Sequence, residues 1–228
     1  MSAELTYRTH PWRGGHEWVT VLGQGRPVLL LGPLLEEMNR CRAVLVGAAR
    51  AIGTGYAVHI PDLPGTGESS RELATVEWAQ WREYVIDFTA ALLPVAVVSA
   101  RGGSLLEPEN IPAWRLAPVD GTKLLRELLR GRKAAGDDRP TDRIDAEARE
   151  TGIDLAGYPL GPALYAGLSD ARVPDRAART VRLRGDASIC DVQIDAAPLW
   201  RTAEPRRDPA LSHALGHDIR TWLDTCAG

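Results

Sequence analysis

The residues best placed for chemistry lie in one run, Val95-Ala96-Val97-Val98-Ser99-Ala100-Arg101-Gly102-Gly103-Ser104. Four apolar residues, three of them β-branched, predict a strand buried on both faces. The glycine pair after it predicts a sharp backbone turn that other residues resist. Ser99 and Ser104 bring hydroxyls to this turn, and Arg101 brings a guanidinium, which stays protonated and is no nucleophile at working pH. A buried arginine at such a junction is costly unless a carboxylate faces it. His213 and His217 form a second constellation, four residues apart and so on one face of a helix. A zinc-protease motif would place Glu directly after the first histidine, where Ala214 stands. Neither a metal nor a cofactor is therefore expected. Gly65-Thr66-Gly67 and Gly23-Gln24-Gly25 lack the third glycine of a dinucleotide fingerprint, and no phosphate-binding GxxxxGK[ST] run occurs.

The elements that must position these groups follow from periodicity. Trp18 to Leu22 and Pro27 to Gly32 predict an antiparallel hairpin at a sheet edge, joined through Gly23-Gln24-Gly25-Arg26. A helix is expected from Glu37 to Ile52, with Leu45, Ala48, Ala49 and Ile52 on one face. The strand Tyr56 to Ile60 leads into Pro61-Asp62-Leu63-Pro64-Gly65-Thr66-Gly67-Glu68-Ser69. A helix capped by Thr75 runs to Leu92. After the turn, Pro108 and Pro112 leave room for only one or two helical turns. Trp114 to Pro118 reads as a strand, and Thr122 as the cap of a helix ending at Lys133 or Ala135. Thr141 to Glu150 reads as a charged helix, followed by a short extended piece and another helix up to residue 170. Thr180 to Arg184, Asp191 to Ile194 and Pro198 to Thr202 are strand candidates, and Pro209 to Thr225 is a closing amphipathic helix. Strands alternating with helices at this spacing predict an α/β fold with a mostly parallel central sheet and helices on both faces. A single domain over 1–228 is expected, with residues 137–170 as a lid or cap excursion.

Composition bounds the function. The 228 residues are 44% hydrophobic and 25% charged, as in ordinary globular domains. A net charge of −3 predicts neither nucleic-acid nor membrane binding, and no apolar run approaches the ~20 residues of a membrane span. The arginines of Arg126 to Lys133 read as a helix face, and Arg206-Arg207 as a loop. The seven tryptophans read as core or cleft wall. Three scattered cysteines, Cys41, Cys190 and Cys226, and an N-terminus without a signal-peptide pattern predict a reduced, cytoplasmic setting. The sequence sets no oligomeric state.

The order of elements, the loop Pro61 to Ser69 and the loop Gly32-Pro33-Leu34-Leu35-Glu36-Glu37-Met38-Asn39 resemble the α/β-hydrolase superfamily over roughly residues 18–226. More narrowly, Glu36-Glu37-Met38-Asn39, Arg101-Gly102-Gly103 and Ala117-Pro118-Val119-Asp120-Gly121 resemble hydrolase-like proteins associated with exosortase systems, which accompany bacterial exopolysaccharide and protein-sorting loci. The resemblance implies a GxSxG nucleophile turn, a histidine base, an orienting acid and an oxyanion loop. Here the turn reads Ser99-Ala100-Arg101-Gly102-Gly103, with Arg101 at the nucleophile position. Relocated nucleophiles would be Ser99 or Ser104. The base position, in the loop Ala203 to Asp208, holds no histidine, so His213 becomes the candidate base and Asp186 the candidate acid.

The charged residues that such a fold gathers at the carboxyl end of its sheet are Glu36, Glu37, Asp62, Arg101, Asp120, Asp186 and Glu204. Glu36 or Glu37 is expected to pair with Arg101. Two functions stay open at this point. One is hydrolysis of a small ester or acyl substrate by an incomplete triad. The other is a degenerate hydrolase-like protein that binds a small polar or anionic ligand, or a partner in an exopolysaccharide or exosortase-linked pathway.

Overall fold

The computed structural model describes residues 4–134, 136–202 and 204–226. Ala135, one expected helix end, and Ala203, in the expected base loop, lie outside them, as do Met1 to Ala3 at the N-terminus. Eight strands form one sheet in the order β1-β2-β4-β3-β5-β6-β9-β10. These are β1 (Leu5–Trp12), β2 (Gly15–Gly23), β3 (Gly25–Leu31), β4 (Gly55–Pro61), β5 (Ala96–Ala100), β6 (Ala113–Leu116), β9 (Arg179–Leu183) and β10 (Val192–Ile194). β2 runs antiparallel to β1 and β4, and every pairing from β4 to β10 is parallel.

The expected hairpin between Trp18–Leu22 and Pro27–Gly32 is not formed. β2 pairs instead with β1, and β4 enters between β2 and β3. Val28 to Leu31 are buried throughout, so β3 needs a parallel strand on either side and cannot sit at an edge. Gly25, at φ 122°, makes this possible. A Cβ there would lie 2.3 Å from the carbonyl oxygen of Gly55, the first residue of β4.

Alternating strand residues feed two cores. Val28, Leu30, Ala96 and Val98 face α1 (Glu36–Ile52) and α6 (Pro209–Cys226). Leu29, Leu31 and Val97 face α2 (Trp78–Leu92), α3 (Gly121–Ala134) and α5 (Pro162–Asp170). Between α3 and α5 lie α4 (Thr141–Thr151) and the hairpin β7 (Ile153–Leu155) and β8 (Tyr158–Leu160). Their residues Ile144, Ala148, Leu155 and Leu160 join the same core.

Three local expectations change. Thr75 sits in a one-turn 3₁₀ helix, and α2 starts later, where Gln80 Oε1 accepts the Glu77 N–H at 2.9 Å. Thr122 does not cap α3, because its hydroxyl donates to the Ser169 carbonyl at 2.8 Å. Pro198 to Thr202 is no strand: Leu199–Arg201 form a 3₁₀ turn.

The crossover from β5 to β6 carries only a six-residue 3₁₀ helix, Arg101–Leu106, followed by Pro108 and Pro112. Parallel crossovers usually bury a whole helix there. Here a buried ionic cluster lies beneath instead. The Glu107 carboxylate accepts from Arg115 Nε at 3.0 Å and Nη2 at 2.8 Å, from Arg176 Nη2 at 3.0 Å, and from the Ser99 hydroxyl at 2.6 Å. Four donors offset the cost of burying one carboxylate, and removing it leaves two arginines without their counter-charge. Glu107→Gln is expected to lower unfolding free energy by about 3 kcal/mol or more; a urea midpoint within error of wild type would contradict this.

Candidate functional site

At the carboxyl end of β5 the chain turns at Arg101, which takes a left-handed φ of 52°. That conformation strains any residue with a Cβ and turns its side chain out of the strand line. The turn is held tight by its glycines. A Cβ on Gly103 would lie 2.3 Å from the Leu31 carbonyl oxygen, so the backbone meets β3 directly. The geometry is that of a strand-to-helix elbow, with a guanidinium at its apex.

Arg101 is 3% exposed and engages four groups. Nε donates to Glu37 Oε2 at 3.1 Å and Nη2 to Glu37 Oε1 at 2.8 Å, a two-pronged pair with both side chains buried. Nη2 also donates to Glu127 Oε2 at 2.6 Å, and Nη1 reaches the Ala117 carbonyl at 3.4 Å. The guanidinium lies over the Trp200 ring, 4.3 Å from its centroid. Burial pushes the Glu37 carboxyl above its ordinary range, and the Arg101 guanidinium pulls against that. Glu37 is therefore the partner. Glu36, one residue and 100° away on α1, pairs with Arg40 at 2.6 Å. Burial and the neighbouring Glu37 raise the Cys41 thiol to about 12, so it offers no thiolate at neutral pH.

Two hollows open beside this pair; Glu37 lines the larger and Glu127 both, while Arg101 lies beneath their walls and lines neither. A cleft of about 730 Å³ is lined by Glu36, Glu37, Arg40, Glu127, Arg132 and Trp200, among others. A depression of about 520 Å³ adjoins it and shares Glu127, Arg130 and Arg201. Asp120 lines the second hollow, where its Oδ1 accepts the Val173 N–H at 2.9 Å. A cavity of only about 90 Å³ remains beside the loop Gly32–Asn39 and Gly103. That is well below the ~300 Å³ that small-molecule sites need. Asp62 lines this small cavity. Its Oδ2 accepts the Glu68 N–H at 3.0 Å, and burial raises its carboxyl.

The other candidates are placed elsewhere. Ser99 and Ser104 are fully buried. The Ser99 hydroxyl donates to Glu107, so Ser104 donates to Ser99 at 2.8 Å, and neither lines a hollow. His213 is exposed on α6 and lines a separate depression with Arg207 and Asp208. His217 is exposed one turn on, and His10 bonds Asp87 at 2.8 Å. Asp186 anchors its own turn through the Ser188 N–H at 3.1 Å and Arg182 Nη1 at 2.6 Å. Partial burial works to raise its carboxyl, but the bonds from Ser188 and Arg182 outweigh it and bring the group down to about 2. Glu204 is exposed and lines neither hollow. Among the described residues, no group of three or more His, Cys, Asp or Glu is placed to hold a metal ion, and no helix is long and apolar enough to cross a membrane. The sequence reading missed Glu127 and Trp200. Glu127 had a signal: it is the lone carboxylate inside the basic run Arg126-Glu127-Leu128-Leu129-Arg130-Gly131-Arg132-Lys133.

The whole topology is shared with solved structures. An esterase from Thermogutta terrifontis superposes with a TM-score of 0.56 at 16% identity, covering 99% of this chain and 100% of that one. Mouse alpha/beta hydrolase domain-containing protein 10 gives 0.54 at 15%, covering 98% and 99%. An epoxide hydrolase from Vigna radiata gives 0.53 at 15%, covering 97% of each chain. The chain has the α/β-hydrolase fold. No family model and no curated protein matches the sequence. Within this fold, the turn at the carboxyl end of β5 carries Arg101 at its apex.

Two outcomes follow. Arg101→Ser strands the buried Glu37 carboxylate and is expected to cost about 3–5 kcal/mol in urea unfolding, with no gain of ester turnover; a stable, active variant would contradict it. The folded-state carboxyl of Asp186 lies below its ordinary 3.8, so its contribution is present above that pH and fades as pH falls toward about 2. The stability gap between wild type and Asp186→Asn is thus expected to be constant from pH 5 to 7 and to close between pH 4 and 2 in acid titrations.

Proposed function

We propose that this protein binds a small polar or anionic ligand in the cleft above Arg101 and does not act through serine-based hydrolysis. The observation that carries the reading is the lock on Arg101. The nucleophile position is filled by an arginine held by Glu37, Glu127 and Trp200, and a protonated guanidinium cannot attack an acyl carbon. Glu36, Glu37 and Asp120 take their places as walls of the two hollows. Residues 137–170 serve as a cap rooted in the core, with Asp154 and Ala156 lining the large cleft and Tyr158 the small cavity. The resemblance of the Glu36–Asn39, Arg101–Gly103 and Ala117–Gly121 segments to exosortase-associated proteins points the ligand or partner toward exopolysaccharide or protein-sorting chemistry.

A second reading is hydrolysis of a small ester or acyl substrate from a displaced serine. Its support is the naming of similar structures as an esterase and an epoxide hydrolase. One experiment separates the two. Folded full-length protein is treated with a fluorophosphonate probe and with p-nitrophenyl esters, and its melting temperature is followed against small phosphates, sulfates and carboxylates. The binding reading expects no covalent label, no turnover above buffer, and a rise of about 5–10 °C when a true ligand reaches roughly 100 times its Kd. Labelling that disappears in Ser99→Ala or Ser104→Ala would establish the hydrolase instead.

A further inference from the structure

The depression beside the main cleft gathers five cationic side chains, Lys123, Arg126, Arg130, Arg172 and Arg201, against two carboxylates, Asp120 and Glu127. None of the five is in an ion pair among the described residues; Arg172 donates only to the Ser169 and Ala171 carbonyls. Unpaired cations on a convex surface are ordinary. Converging into a hollow of about 520 Å³, they focus a positive potential.

Glu127 is the carboxylate nearest to hand for neutralising them. It stands four residues after Lys123 and three before Arg130 on α3, the spacings at which helical ion pairs form. It pairs with neither. Its Oε2 turns inward to Arg101 Nη2 at 2.6 Å. Arg101 is already served by Glu37, so Glu127 is a second carboxylate on one guanidinium, and both share the same Nη2. The two acids differ in freedom. Glu37 has a side chain 4% exposed and takes two hydrogen bonds; Glu127 is 19% exposed, takes one, and faces both hollows.

We propose that Glu127 is a built-in, displaceable occupant of an anion site, and that the site takes a phosphate-bearing small molecule. This rests on the binding reading above. Arg101 is the fixed receptor, held by Glu37 and Trp200. Glu127 is the moving part, with Lys123 and Arg130 ready to receive it when a ligand oxygen takes Nη2. The choice of phosphate follows from competition. A monocarboxylate offers Arg101 nothing beyond Glu127, which is tethered and pays no entropy of association. A phosphate brings close to two charges and three acceptor oxygens, and its geometry suits the arginine forks of Arg126, Arg130 and Arg201.

The test is calorimetric titration of the full chain with inorganic phosphate, and with acetate as the monocarboxylate, at low ionic strength. Wild type is expected to bind phosphate and not acetate. Glu127→Gln removes the competing charge and frees Nη2, so it should tighten phosphate about tenfold and admit acetate. The double variant Arg126→Gln/Arg201→Gln should weaken phosphate at least tenfold. Should Glu127→Gln melt early, Glu127→Asp, which draws the carboxylate back from Nη2, should still tighten phosphate. No phosphate binding by wild type or Glu127→Gln overturns the phosphate site. Phosphate affinity unchanged or weakened in the Glu127 variants overturns displacement while leaving the binding reading intact. Covalent fluorophosphonate labelling overturns that reading whatever the titration shows.

Discussion

A guanidinium buried at a left-handed backbone position is the constraint around which the molecule is arranged. Arg101 could not stay at φ 52° and 3% exposed without counter-charge within hydrogen-bond reach. That need pins three elements to one side chain. Glu37 brings the first turn of α1, Glu127 the middle of α3, and Trp200 the 3₁₀ turn before α6. Each comes from a different part of the chain, so the ion pair ties sequence-distant pieces across the carboxyl end of the sheet. The backbone demand itself is met by Gly103, whose missing side chain lets the turn rest on β3.

A second ionic centre sits one layer away, under the short crossover. Around Glu107, Ser99 comes from β5, Arg115 from β6, and Arg176 from the loop before β9. Both centres draw on one short segment, residues 99–107: Ser99 and Glu107 at its ends build this centre, and Arg101 between them builds the other. The Ser99 hydroxyl is spent on this buried carboxylate, and the Ser104 hydroxyl on Ser99. The cluster is nearly saturated: among the described residues, Arg176 Nε is its one buried side-chain polar atom without a partner.

How far the sequence could be read depended on whether a signal was local. The β-branched run before Arg101 and the helical spacing of Leu45, Ala48, Ala49 and Ile52 are local patterns, and the corresponding strand and helix formed where periodicity placed them. The pairing of β2 was not local. Both β2 and β3 looked like hairpin partners, and only the burial of β3 on both faces decides that β4 must come between them. Arg101 and Glu37 were legible together because topology brings the first loop to the elbow; the choice between Glu36 and Glu37 needed the phase of α1. Glu107 was hidden because it lies in a proline-flanked loop whose path no periodicity predicts. His213 had a helical position but no phase that pointed it inward.

The buried pair has a mutational consequence, because its two members are not exchangeable one at a time. Losing Arg101 strands Glu37 in the core as an uncompensated buried charge, whereas losing Glu37 leaves Arg101 with Glu127 alone. The ion pair thus couples positions 37 and 101, whose side chains change together at less cost than either changes alone.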